Sequence, residues 1–527
     1  MRPCRNLIAA AVAVLACASA QAVTLRVSNQ GDVQSMDPHS LNESLQLSFD
    51  NNIYEPLIER GKDMSLQPAL ATKWTQTSPT VWRFDLRPGV KFHDGTPFTA
   101  DDVVFTFKRA AGDGSDMKGY TNPIKEVRKV NDVTVEIETV QPYPILPDTL
   151  TTLGIMSKKW CEENKAEKPV DRRKGIENTA SFKANGTGPW RLRERQPSQR
   201  TVLVRNFNYW GKIESNVDEI VFTPIGNDAT RVAALLSGET DVMEPVPLQD
   251  VERIKSAGSF TVLQGPELRT IFLGMDQKRD ELLFSSVKGK NPFKDVRVRR
   301  AFYQAIDEDA IKNRVMRGAA TPTAEMVGAA VRGFQPDMNK RLPYDPEAAK
   351  KLLAEAGYPN GFEVGMNCPN DRYVNDSAIC QAVAANLARI GVKVNLQAET
   401  KVSYFPKILR RDTSFYLLGW TPSTVDSHDV LSSIMATPND KGQGQFNLGW
   451  YSNPKLDELT LKIQSETDQK KRNEMIREAF KIHADDVGHI PLHQQALAWA
   501  YNNKVSLVQL PNNYMVFKWI TVKAPPK

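Results

Sequence analysis

The chain has 527 residues, more than one hydrophobic core supports, so it folds as several lobes. With 41% hydrophobic and 25% charged residues it matches folded soluble proteins, which excludes a disordered, collagen-like or polytopic membrane chain. Its 68 Lys and Arg against 62 Asp and Glu give a net charge of +6 with no sustained basic block, so nucleic acid is excluded as the expected partner.

Residues 1–22 read as a secretory signal peptide. Arg2 and Arg5 precede the apolar run Leu7 to Ala18, and Ala20-Gln21-Ala22 is a small-x-small cleavage site. The apolar run reaches ~18 Å as a helix, short of the ~30 Å hydrocarbon core, so cleavage after Ala22 is expected instead of a permanent anchor. The run Val14-Leu15-Ala16-Cys17 leaves lipid attachment at Cys17 as an alternative. Cleavage leaves Cys161, Cys368 and Cys380. Export permits disulfides, and Cys368 and Cys380 are candidates for a local bridge, with two unpaired buried thiols as the alternative.

Along the mature chain, β-branched and aromatic runs predict strands at 133–140, 201–206, 219–225, 393–399 and 414–420. Amphipathic stretches predict helices at 229–238, 296–316, 345–357, 377–391 and 468–486. This alternation favours α/β lobes with largely parallel sheets, whose ligands sit at strand carboxyl ends or between lobes. The turn-rich stretch 166–190 is the best candidate for a crossover between lobes, and a second break falls near 277–295.

Catalytic templates are absent: the sequence has no G-x-S-x-G elbow, no phosphate-binding P-loop and no H-E-x-x-H helix. His489 and His493 have a helical metal-binding spacing with His483 nearby, but Pro491 between them argues for an extended segment and no metal. Gly186-Thr187-Gly188 is followed by Pro189, which reads as a turn, not a dinucleotide site. More informative is SFYLLGWTPSTVDSHD, where an apolar strand runs into Gly419, Trp420, Ser423 and Asp426. Such a strand end offers close backbone approach, a stacking face and hydrogen-bonding groups; a core Trp entering an ordinary turn is the alternative.

The segment from Pro68 to Arg109, with its core VKFHDGTPFTADDV at 90–103, resembles the signature of the bacterial extracellular solute-binding proteins, family 5, which serve dipeptide, oligopeptide and nickel ABC importers. The likeness continues through MDPH (36–39), IYEPL (53–57), GTGPW (186–190), RNFNYW (205–210), LLSGETDV (235–242), PFKDVRVRRAFYQAID (292–307), YDPEAAKKLLAEAG (344–357) and ARIGVKV (388–394). The signature itself reads as scaffold: Thr99 is placed as a helix N-cap before Asp101 and Asp102, and His93 and Asp94 are not assigned as ligands.

The resemblance implies an α/β, two-lobed periplasmic-binding-protein fold (type II, cluster C) with an extra domain inserted in the first lobe. Lobe I would comprise 23–52, 187–272 and 485–527, the extra domain 53–186 and lobe II 273–484. The resemblance places the ligand pocket at Gly419, Trp420 and Thr421 and at the N-terminal loop with Gln34 and Ser35. Peptide binders of the family carry an Asp three residues after that Trp to anchor the ligand's amino group. Here Ser423 stands there, and a second family Asp is matched by Asp426. Arg372 lies near where dipeptide binders place an Arg for the ligand carboxylate. The implied function is a periplasmic, non-enzymatic solute receptor without cofactor. It would act as a monomer, capture a peptide or amino-acid-derived solute and deliver it to the permease and ATPase subunits of the inner membrane. Alternatives are a secreted hydrolase, or the same fold serving an opine, sugar, metal chelate or haem.

Overall fold

The computed structural model describes residues 22–523. The leader assigned to 1–22 lies outside the described residues except for Ala22, and Cys17 lies outside with it. Among the described residues no helix is long and apolar enough to cross a membrane.

Among the described residues, an eleven-stranded sheet runs through the molecule. At one end, Thr24–Asn29 lies parallel to Glu219–Pro224 and to Val242–Glu244, with Arg200–Arg205 and Trp190–Gln196 continuing antiparallel. At the other end, Glu363–Pro369 lies parallel to Lys393–Glu399 and to Phe415–Trp420. Two long antiparallel strands, Phe260–Met275 and Ile490–Asn502, join these halves. The sheet is therefore mixed and not largely parallel, because the joining strands run back across both lobes. The IPLH of HIPLH opens the second of them, so Pro491 marks an extended segment.

The pairing of the two joining strands breaks between Pro266 and Thr270. Glu267, Leu268 and Arg269 fill that gap. Before it the strand pairs only with Ile490–Asn502; after it, Thr270–Met275 also pairs with Phe415–Trp420. An interrupted ladder between two packed halves is where relative rotation costs least.

A separate four-stranded antiparallel sheet is built from Ala71–Ser78, Val81–Leu86, Thr134–Thr139 and Ile124–Asn131. The helix Ala100–Ala110 covers it. Thr99 and Asp102 form a reciprocal capping box at its start, worth about 1 kcal/mol. Ala100, Val103, Phe107 and Ala110, spaced for one helical face, are buried in a cluster with Phe84, Val135 and Ile137. The signature's polar residues clasp a neighbouring loop: His93 Nε2 lies 3.0 Å from the Gly188 carbonyl, and Asn185 donates to Asp94 at 2.9 Å. A Cβ at Gly186 would stand 1.9 Å from the Ile53 carbonyl oxygen, so only glycine fits there.

The helix predicted at 296–316 is broken. A helix spans Val296–Ala305, Ile306 is extended, and Asp307 caps a new turn by accepting from the Ala310 N–H before a π-helical turn at Ile311–Val315. The apolar period runs on through the sequence, but the Asp307 side chain offers the backbone a competing partner. The remaining predicted helices occur at Asp228–Ser237, Pro346–Glu355, Asp376–Ala388 and Gln469–Asp485. Cys368 and Cys380 form a disulfide that ties Glu363–Pro369 to the helix Asp376–Ala388, and Cys161 is free and buried.

Candidate functional site

A small cavity lies at the gap in the joining strands. Four stretches line it: Leu41–Ser44 from the first half, Arg269 from the register break, Arg372 and Tyr373 after Glu363–Pro369, and Leu418–Thr421 with Ser423. The last two stretches follow the carboxyl ends of parallel strands, where side chains splay free of the sheet. Phe405 and Phe446 complete the wall.

Gly419 is required by close packing: a Cβ would lie 2.8 Å from both Ile271 Cδ1 and Tyr373 Cε1, and 3.0 Å from Arg269 Cδ. Trp420 is nearly buried; its ring meets Phe446 at 4.9 Å between centroids, and its Nε1–H donates to Asp429 at 2.8 Å. Burial raises the Asp429 carboxyl to about 6 against the bonds from Trp420 and Thr424. Thr421 is buried, and its hydroxyl has no partner among the described residues. Ser423 lines this cavity and a second one, which also takes Ser44 and Thr421 into its wall.

The site's charged groups are almost wholly buried. Glu43 caps the helix Ser44–Asp50, accepting from the Leu45 and Gln46 N–H groups, while Arg372 Nε lies 2.5 Å and Lys401 Nζ 3.7 Å from its carboxylate. Burial alone would raise this carboxyl, but Arg372, Lys401 and the two backbone donors hold it at about 2. Arg269 Nε donates to Glu267 at 2.9 Å, and Gln495 Nε2 donates to the other Glu267 oxygen at 2.8 Å. The Arg269 and Arg372 guanidinium carbons lie 5.5 and 4.9 Å from the Tyr373 ring centroid. Arg372 also borders a third small cavity with Lys401, Asp371 and Glu244, whose carboxyl burial raises to about 7.

Of the residues chosen from sequence, the structure brings Gly419, Trp420, Thr421, Ser423 and Arg372 to one cavity. It places three elsewhere. Asp426 lines neither of these two cavities: Arg472 takes both its oxygens, at 2.7 and 3.0 Å, and it caps the next turn by accepting from the His428 N–H. Ser35 is buried and accepts from the Asp37 N–H, and Gln34 accepts from Arg172, so neither faces the cavity. The N-terminal wall comes instead from Leu41–Ser44, six or more residues further on. Sequence reasoning also missed Arg269, Tyr373 and Asp429: a distant segment delivers Arg269, whereas Tyr373 adjoins Arg372 and Asp429 closes the run that begins at the strand end. The histidines separate: His483 and His489 stack and hydrogen-bond at 2.9 Å, whereas His493 contacts Glu308.

The model of the bacterial extracellular solute-binding proteins, family 5, matches residues 65–442. The chain belongs to that family. Glutathione-binding protein GsiB of Pectobacterium atrosepticum is 27% identical over 465 residues, covering 86% of this chain and 85% of that one. The dipeptide-binding protein of Escherichia coli K12 is 26% identical over 501 residues, covering 90% of each. Among solved structures, the ABC transporter-associated periplasmic binding protein DppA from Helicobacter pylori, in complex with the peptide STSA, superposes with a TM-score of 0.85. That pair is 24% identical and covers 95% of this chain and 98% of that one, which shows the shared periplasmic-binding-protein fold. In this family member the cavity at Arg269, Arg372 and Trp420 sits where the two halves of the sheet meet.

Proposed function

We propose that the protein is the solute receptor of an ABC importer and closes its two lobes over a peptide or amino-acid-derived solute. The observation that carries this reading is the cavity between the sheet halves, lined by aromatic rings and two guanidinium groups beside an interrupted pair of joining strands. Relatives named for glutathione and dipeptides support the solute class. The three-part division stated from the sequence fits this function, with lobe I at 23–52, 187–272 and 485–527, the extra domain at 53–186 and lobe II at 273–484. The solute stabilises the closed form through contacts that the open form cannot make, and a membrane permease with its ATPase subunits reads that form. The receptor acts in the periplasm as a monomer after loss of its leader, and it returns its solute chemically unchanged.

Mass spectrometry of small molecules released by denaturing gently purified protein tests this reading. A discrete solute carried by the wild type and absent from Trp420→Ala is the expected result. Failure of any peptide, amino-acid derivative or other small solute to bind would remove the reading.

A further inference from the structure

Resting on the receptor reading above, we infer that residues 53–186 form a second jaw that moves with lobe I, and that Arg332 latches the closed trap by pairing with Asp148 of that jaw. The two sides of this jaw are held differently. Towards lobe I, the Arg109 guanidinium donates twice to Asp37, at 2.8 and 2.7 Å, and both side chains are wholly buried. Glu55, also buried, accepts from Thr187, Tyr209 and Trp210. Opening this seam would strand buried charges, so it stays shut. Towards 273–484 the jaw meets its neighbour through side-chain amides. Gln141 donates to the Leu461 carbonyl at 3.1 Å and to Gln464 at 3.3 Å, and Gln445 donates to the Ser115 carbonyl at 3.2 Å and to Asp116 at 3.3 Å. Bonds of this kind exchange with water at little net cost, as a face that opens and shuts requires.

Among the described residues, the one ion pair that crosses this second face joins Arg332 Nη2 to Asp148 at 3.2 Å. Each partner is also paired on its own side. Arg60 donates to Asp148 at 2.8 Å, while Arg332 Nε lies 3.3 Å from Asp426, whose two oxygens Arg472 holds. Closure therefore joins two formed clusters into a chain of alternating charge: Arg60, Asp148, Arg332, Asp426, Arg472. The Thr424 carbonyl closes the junction, accepting from Arg60 at 3.2 Å and from Arg332 at 3.3 Å.

The latch is prepared on the side of 273–484. The Arg332 N–H donates to the Val425 carbonyl, and its own carbonyl accepts from the Ser427 N–H and hydroxyl. Its backbone is thus tied to the loop that carries Thr424 and Asp426, and less freedom is lost when the guanidinium meets Asp148. Neither Arg332 nor Asp148 lines the two cavities at the strand end, so the pair acts on closure and not on solute contact. A bond made only in the closed form raises the population of that form by its own equilibrium factor.

Single-molecule fluorescence on the mature full chain tests this without any solute. Val140 and Leu461, 66% and 49% exposed, flank the Gln141 contact and are replaced by cysteines carrying a dye and a contact quencher. Cys161 is buried and Cys368 is bridged to Cys380, so the introduced pair alone is labelled. Arg332→Gln leaves Asp148 with Arg60 and Asp426 with Arg472, so no carboxylate is stranded and the variant folds. It is expected to lower the ratio of quenched to bright time about fivefold, the reach of a half-exposed ion pair. Arg477→Gln is the control: that side chain is 46% exposed, as Arg332 is, but pairs with Asp337 inside 273–484, and the ratio should stay unchanged. A fall of less than twofold in Arg332→Gln, or an equal fall in Arg477→Gln, overturns the latch. A wild type that is never quenched, or quenching that is permanent in both variants, overturns it as well. In each of these cases the receptor reading stands, because the released-solute experiment decides it separately.

Discussion

Three residues after Trp420 stands Ser423, and the nearest acid downstream, Asp426, is held away from the cavity by Arg472 and Arg332. Asp426 is a buried structural charge. Removing one partner of such a pair leaves the other unpaired and typically costs about 3–5 kcal/mol. Asp426→Ala should therefore lower the urea midpoint markedly while solute affinity per folded molecule stays within about twofold. A large loss of affinity with unchanged stability would show that the carboxylate does reach the solute. Glu43 gives a pH dependence. Its folded pKa of about 2 lies below the ordinary 4.5, so its stabilising contribution is complete above 4.5 and is lost as pH falls towards about 2. Asp429 acts with the opposite sign: its carboxyl is raised from 3.8 to about 6, so ionising it costs stability as pH rises through that window. Asp429→Asn should flatten the stability profile between pH 4 and 6, read by thermal unfolding in a buffer series, and an unchanged profile would refute the assignment.

At the scale of elements, the strand Phe415–Trp420 carries the site because its last two residues combine a glycine with an indole. Gly419→Ala would drive a methyl group into Tyr373, Ile271 and Arg269. Overpacking of this kind costs about 1–3 kcal/mol and displaces the two side chains that shape the cavity wall, so affinity should fall more than stability. Calorimetry alongside thermal unfolding separates the two effects. The disulfide closes the loop that carries Arg372 and Tyr373, and it fixes that loop between a strand and a helix. Replacing both cysteines by serine should cost about 2–4 kcal/mol through the freer unfolded chain, with solute affinity weakened because Arg372 is less constrained. Equal stability of the double variant and the wild type would count against a formed bridge. The break at Ile306 shows the opposite relation, a period that reads as one helix until a capping Asp interrupts it.

For the whole molecule, the gap in the joining strands at Glu267–Arg269 is both the mechanical weak point and a wall of the cavity. Under the proposed function, solute held in that cavity bears directly on the gap. Small-angle scattering should show a smaller radius of gyration with saturating solute, and the change should vanish in Trp420→Ala. No change in the wild type would mean that binding and closure are uncoupled.

The sequence by itself determined the family, the scaffold signature and the strand end at Gly419 and Trp420, because these are local runs whose spacing is set by their own secondary structure. Thr99 could be read as a cap, and Pro491 as a sign of extended chain, for the same reason. Only the tertiary structure decided which charges line the cavity. Asp426 looked available six residues after Trp420, but it is neutralised by Arg472, 46 residues away in sequence. Arg269 and Glu43, which frame the cavity, lie far apart along the chain and carry no motif. A buried charge acquires its role from whichever partner the fold delivers, and that pairing is a property of the packed molecule instead of any one segment.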